Sequence, residues 1–275
     1  MQITKEYVNQ NLELFITNSP EFWRDATEIA DYAFYNFDSC MRADESKGEY
    51  FFRHIEIPNN ITKIGAHAFE DCDFLESVVL PKDVTVIEEA CFKYCPSLAK
   101  ITLPENLEEI KDEAFYESRI EQITFPETLK KIGKKCFVGN NFTTITFNDG
   151  FTTISESAFE RCSRLKDINF SNTIKTIQKR AFLDCFALNK IVLPPNIDSL
   201  GAEAFYNCDN LKQVIVQNKQ TKLGKQCFSY TLIACVIEKD EELHFLDSCQ
   251  ITESENCRVI DKEEELSGLI YRDED

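Results

Sequence analysis

Twelve cysteines and three histidines are the residues of this chain whose types could support nucleophilic, redox or metal chemistry. A thiol nucleophile needs a base within hydrogen-bond reach, and a zinc site draws its ligands from spacings such as C-x-x-C or H-x-x-x-H. Neither spacing occurs. His54, His67 and His244 are isolated, and no motif couples any of them to a nucleophile. Cys40, Cys235, Cys249 and Cys257, with His244, are the one set from which a metal site could be assembled, and they lack ligand spacing. No G-x-G-x-x-G, Walker-type or G-x-S-x-G loop is present. The expectation is therefore a protein without catalytic residues, metal or cofactor, and not an enzyme.

The other eight cysteines have a positional explanation. Cys72, Cys95, Cys162, Cys185 and Cys208 each stand three residues after a phenylalanine, while Cys91, Cys136 and Cys227 stand immediately before one. Those phenylalanines belong to a series: Phe34, Phe69, Phe92, Phe115, Phe137, Phe159, Phe182, Phe205 and Phe228, at steps of 35, 23, 23, 22, 22, 23, 23 and 23. Five residues before each lies an aliphatic residue: Ile29, Ile64, Ile87, Ile110, Ile132, Ile154, Ile177, Leu200 and Leu223. One such unit cannot bury its apolar face alone, so the units must stack into a solenoid. Cysteines in its columns are expected as small buried core residues, because stacking gives them parallel Cβ vectors that suit a disulfide poorly.

A complete unit reads I-x-x-x-A-F-x-x-C-x-x-L-x-x-I-x-L-P-x-x-I. Its L-x-x-I-x-L part has apolar residues two apart (Ile101/Leu103, Ile145/Phe147, Ile191/Leu193), the period of a strand with one face inward. Pro58, Pro81, Pro104, Pro126 and Pro194 follow that strand, where no ladder donor is needed. The opposite flank, as in IKTIQKRAF, is expected to form a tight turn, a short second strand or a 3₁₀ segment.

These features resemble the BspA-type leucine-rich repeats. L-x-x-I-x-L looks like a leucine-rich-repeat strand and AF-x-x-C-x-x-L like the BspA-type unit, well matched from Ile29 to Val216 and partly over Leu223–Phe228. Ser118 and Asn140 replace the cysteine in the two 22-residue units. The resemblance implies a β-rich (α/β) solenoid of about eight to nine repeats of 22–23 residues, with a parallel concave sheet and terminal caps. It also implies protein binding or cell-surface adhesion without catalysis. The expected organisation is an N-terminal cap over 1–24, the solenoid over 25–235 with an acidic-polar insertion near 38–47, and a C-terminal cap with acidic tail over 236–275.

In such a strand the residues flanking the inward aliphatics face outward. Ser77, Lys100, Gln122, Thr144, Asp167, Lys190 and Gln213 form one outward column, continued by His54. Val79, Thr102, Thr124, Thr146, Asn169, Val192 and Ile215 form the other, continued by Glu56. They are the candidate protein-binding residues, and the alternative reading is that β-branched Thr and Val merely suit exposed strand positions.

The formal charge of −18 disfavours nucleic acid and anionic lipid as partners. Residues 236–275 carry 14 acids against 4 bases, a net −10. The start, MQITKEYVNQ, does not read as a signal peptide, and no stretch approaches the ~18 apolar residues of a membrane span. The sequons at Asn60 and Asn141 then read as chance matches. A monomeric cytoplasmic scaffold that binds a protein is the leading expectation. The alternative is a BspA-like surface or secreted adhesin, an antigen binding host or matrix proteins.

Overall fold

The computed structural model describes residues 1–16, 19–37, 53–218, 220–231 and 234–236. The insertion near 38–47, the 236–275 cap and tail, and the metal-site candidates Cys40, Cys249, Cys257 and His244 fall outside the described residues or end at their edge.

The repeats fold into stacked coils, most of them with two short strands. The L-x-x-I-x-L segments give β3 (His54–Glu56), β5 (Ser77–Val79), β7 (Lys100–Thr102), β10 (Thr144–Thr146), β12 (Asp167–Asn169), β14 (Lys190–Val192), β16 (Gln213–Ile215) and β18 (Ala234–Val236). The opposite flank gives β1 (Gln2–Ile3), β2 (Glu28–Ile29), β4 (Lys63–Ile64), β6 (Val86–Ile87), β8 (Glu109–Ile110) and β9 (Lys131–Ile132). It continues with β11 (Thr153–Ile154), β13 (Thr176–Ile177), β15 (Ser199–Leu200) and β17 (Lys222–Leu223). All pairing is parallel and in register, Ile55 with Val78 and Val78 with Ile101, so each inward aliphatic stacks on its counterpart in the next coil.

The repeat phenylalanines lie in the turn after the shorter strand. Their rings stack face to face from Phe34 to Phe228, with centroids 4.8–5.6 Å apart and planes within 13°. A backbone ladder holds this turn: Phe69 N–H donates to Cys91 O at 2.8 Å, Phe92 to Ala114, and so on coil by coil. The residues two before and two after each repeat Phe all have φ between 50° and 74°, and only Gly139 among them is glycine. With both in the left-handed region the turn directs the N–H groups of −2, Phe and +2 at the next coil, as at His67, Phe69 and Asp71.

The N-terminal segment forms α1 (Lys5–Gln10), α2 (Leu12–Ile16) and α3 (Pro20–Trp23). Thr4 and Ser19 cap α1 and α3 by accepting from Tyr7 N and Glu21 N. Phe15, Phe22 and Trp23 pack on Phe34, the first ring of the stack, with Phe15 at 4.9 Å. Strand β1 extends the short-strand sheet by pairing with β2.

The long-strand sheet is interrupted. It runs β3-β5-β7, then β10-β12, then β14-β16-β18. After β7 only Lys100 bridges to Gln122, and Thr124 lies outside any strand. The coil that follows β7 has a shortened bend: Leu98 follows Phe92 by six residues, whereas Ile120 follows Phe115 by five. The shortened bend puts Arg119 at φ 54°, and Ile120 N–H donates to the Asn140 side chain at 2.8 Å. In a full-length coil the corresponding N–H, that of Leu98, donates to Cys95 O.

Candidate binding faces

The outward residues divide the long-strand sheet by chemistry. Val79, Lys100, Thr102, Gln122, Thr124, Thr144, Thr146, Asp167, Asn169, Lys190 and Val192 are exposed, while Ser77, Gln213 and Ile215 are half-buried. Their inward neighbours Val78, Ile101, Ile145, Ile168, Ile191 and Val214 are buried. The middle of the face is short-chained and uncharged: Thr102, Gln122, Thr124, Thr144 and Thr146. Its first coils hold His54, whose Nδ1 lies 2.8 Å from Ser77 Oγ, and the Arg53–Glu76 ion pair. Asn169 Nδ2 donates to Thr146 Oγ1 at 3.0 Å, which ties neighbouring coils together within one column.

The turn face is chemically closed on itself. Lys93 pairs with Glu113 at 2.6 Å and holds its ammonium 5.1 and 5.4 Å from the ring centroids of Tyr94 and Tyr116. Lys111–Glu88, Lys131–Glu109, Lys134–Glu156, Arg161–Glu117 and Arg180–Glu203 join further coils. The hydrogen bond from Lys93 holds the Glu113 carboxyl below the ordinary carboxylate range, despite some opposing burial. His67, half-buried, meets Glu70 at 2.6 Å and stacks on Tyr32 at 4.5 Å.

The cysteines do more than fill space. Cys95 Sγ donates to the carbonyl of Phe69 at 3.1 Å, and Cys72, Cys162, Cys185 and Cys208 donate to Phe34, Phe137, Phe159 and Phe182 at 3.3 Å. Each reaches back one coil to a buried carbonyl; those of Phe34, Phe137 and Phe159 also accept a backbone N–H. Ser118 donates to Phe92 O, and Asn140 Nδ2 to Phe115 O at 2.7 Å. These two departures from the cysteine column therefore keep its donor. Within the column the inner replacements of Cys are the donors Ser118 and Asn140, with Thr231 at its last position and the apolar Phe37 at its first.

These thiols are poor nucleophiles. Burial pushes the Cys91, Cys136, Cys162 and Cys185 thiols well up, and that of Cys208 up to about 12. Cys91, Cys95, Cys136, Cys162, Cys185 and Cys208 are free and buried. Among the described residues no group of three His, Cys, Asp or Glu side chains could hold a metal ion. The sequon residue Asn60 uses its amide nitrogen to hold the N-terminal segment, donating to Trp23 O at 2.8 Å and Ala26 O at 2.7 Å.

A solenoid of parallel strands with stacked AF-x-x-C turns defines a leucine-rich repeat protein. The chain belongs to the BspA type leucine rich repeat family, whose model matches residues 16–142 and 130–249. It is similar to a leucine-rich repeat protein from Bacteroides ovatus, at 26% identity over 77% of this chain, with a TM-score of 0.61. It spans 60% of that protein's length. A leucine-rich repeat protein from Eubacterium ventriosum shares the fold at 20% identity and a TM-score of 0.51, over 80% of this chain and 65% of its own. No curated protein sequence matches the chain. Among the described residues no helix is long and apolar enough to cross a membrane.

Proposed function

We propose that the protein is a non-catalytic scaffold that binds a protein partner across the outward face of its long-strand sheet. One observation carries this reading. The two outward columns from Thr102 to Thr146 hold no charged side chain, and beside them Glu121 meets Arg164 only loosely, at 3.9 Å, whereas the turn face is occupied by its own close Lys–Glu and Arg–Glu pairs at 2.6–2.8 Å. Uncharged side chains cost little to desolvate on contact, and stacked strands offer an extended surface. The face lacks exposed Trp, Tyr or Phe in its two columns, so modest affinity is expected.

The test uses the intact chain to isolate a partner, then measures that purified partner against the T102R/T146R variant. A loss of at least tenfold in affinity with an unchanged melting temperature supports the reading. Unchanged affinity contradicts it.

The same reading takes the protein to be cytoplasmic and monomeric; the free buried thiols of Cys91, Cys95, Cys136, Cys162, Cys185 and Cys208 support the first. Fractionation and light scattering test both. Labelling of intact cells by a membrane-impermeant reagent would instead support the surface-adhesin alternative.

A further inference from the structure

Charge along the chain is segregated in a way the total conceals. Residues 1–160 carry a net −14, residues 161–231 a net +6 from 11 bases and 5 acids, and residues 236–275 a net −10. The last coils of the solenoid are thus a basic band on an acidic molecule. Where that band meets the long-strand face it presents Lys166, Lys190 and Lys212. All three are exposed, and among the described residues none makes an ion pair or a side-chain hydrogen bond. Asp167 is the single acid in the outward columns of these coils. Lysines of the turn face such as Lys93, Lys111 and Lys131 are, by contrast, already neutralised by glutamates.

The surroundings of the three lysines narrow the ligand class. Lys190 opens β14, and Val192, 41% exposed, closes it on the same side. Gln213 and Ile215 take the corresponding places in β16, paired in register with Lys190 and Val192. Lys190 thus stands beside the aliphatic pair Val192 and Ile215, with Gln213 next to it in the following coil, and Lys166 and Lys212 stand one place before their strands, level with Asn189. Aliphatic side chains give nothing to a polyphosphate or a sulfated glycan, but they fit a peptide that carries carboxylates and aliphatic groups together.

Resting on the proposed use of this face, we infer that its C-terminal coils dock an acidic peptide segment of a partner protein, with glutamates or aspartates on Lys166, Lys190 and Lys212 and aliphatic side chains on Val192 and Ile215. An exposed cationic cluster of this kind speeds encounter and sets polarity along the face, and its effect weakens with salt.

The experiment measures fluorescence anisotropy of a labelled 12-residue peptide of alternating Glu and Val against the full chain, with a Gln-for-Glu peptide as control. Saturable binding of the acidic peptide alone, weakened at least tenfold by K190E/K212E and less than twofold by K175E/K179E on the opposite flank, supports the inference. Equal losses from both pairs would reduce it to unspecific attraction by the basic band and overturn it, as would no binding. Tighter binding by E263Q/E264Q/E265Q would make the chain's own acidic segment the occupant and overturn the partner assignment. Displacement by an equimolar 12-mer oligonucleotide would reassign the cluster to phosphate and also overturn it. Loss of partner binding through T102R/T146R but not through K190E/K212E would keep the face as the binding surface while overturning the acidic-segment assignment.

Discussion

The donor that reaches back from each coil to the previous phenylalanine carbonyl is a single atom, and its removal has a calculable effect. Ser118→Ala leaves the buried Phe92 carbonyl unpaired and should cost about 1–3 kcal/mol. Cys162→Ser keeps a donor to Phe137 and should cost less than Cys162→Ala, measured by chemical denaturation. If both Cys162 variants lose equally, packing and not the hydrogen bond holds the column. Burial also predicts that native protein reacts slowly with Ellman's reagent at Cys91, Cys95, Cys136, Cys162, Cys185 and Cys208, and rapidly once unfolded. At Glu113 the lowered carboxyl value means that its pairing with Lys93 stabilises above the ordinary carboxylate range. That stabilisation is lost as pH falls through the lowered value, so Glu113→Gln should flatten the acid limb of a stability–pH curve. Cysteine reads in sequence as a small apolar residue, which is why its position was legible and its hydrogen bond was not.

At the scale of the coil, the strand register and the phenylalanine column follow directly from period-2 and 23-residue spacings, and Ile55, Val78 and Ile101 stack as those spacings require. The turn geometry was not legible. Left-handed backbone usually announces itself by Gly or Asn, but here it is occupied by Tyr32, Ala90, Glu113, Lys135 and Arg180 among others. The ladder of inter-coil bonds over-determines these conformations and holds them at a cost of ~1–2 kcal/mol per residue. Gln226, exposed and at φ 57°, isolates that cost from packing. Gln226→Gly should raise stability by about 0.5–1 kcal/mol, and Gln226→Val should lower it by about 1–2. Phe115→Ala should cost ~3–5 kcal/mol, because its ring is stacked on both sides by Phe92 and Phe137. The continuous sheet expected from the repeat is interrupted twice, after β7 and between β12 and β14; the first break falls at a coil that lacks a residue between Ser118 and Ile120, and the second has no such shortening.

Across the whole molecule, the repeat assigns nearly every large apolar side chain to the core and leaves function to the faces. Nothing in spacing or composition distinguishes the faces. What does so is visible only with side chains placed: the turn face pairs its charges from coil to coil, and the long-strand face leaves its threonines and lysines open to solvent. Family membership fixes the architecture and is silent about which face is used. The central claim is that the long-strand face receives the partner, and both faces carry exposed reporters. Val79 and Val192 lie on the long-strand face, 40% and 41% exposed, and Tyr94 and Tyr230 lie on the turn face, 42% and 60% exposed. Hydroxyl-radical footprinting of the intact protein with its purified partner reads all four at once. The account predicts protection at Val79 or Val192 with Tyr94 and Tyr230 unchanged. Protection of the two tyrosines with the valines still reactive would contradict it.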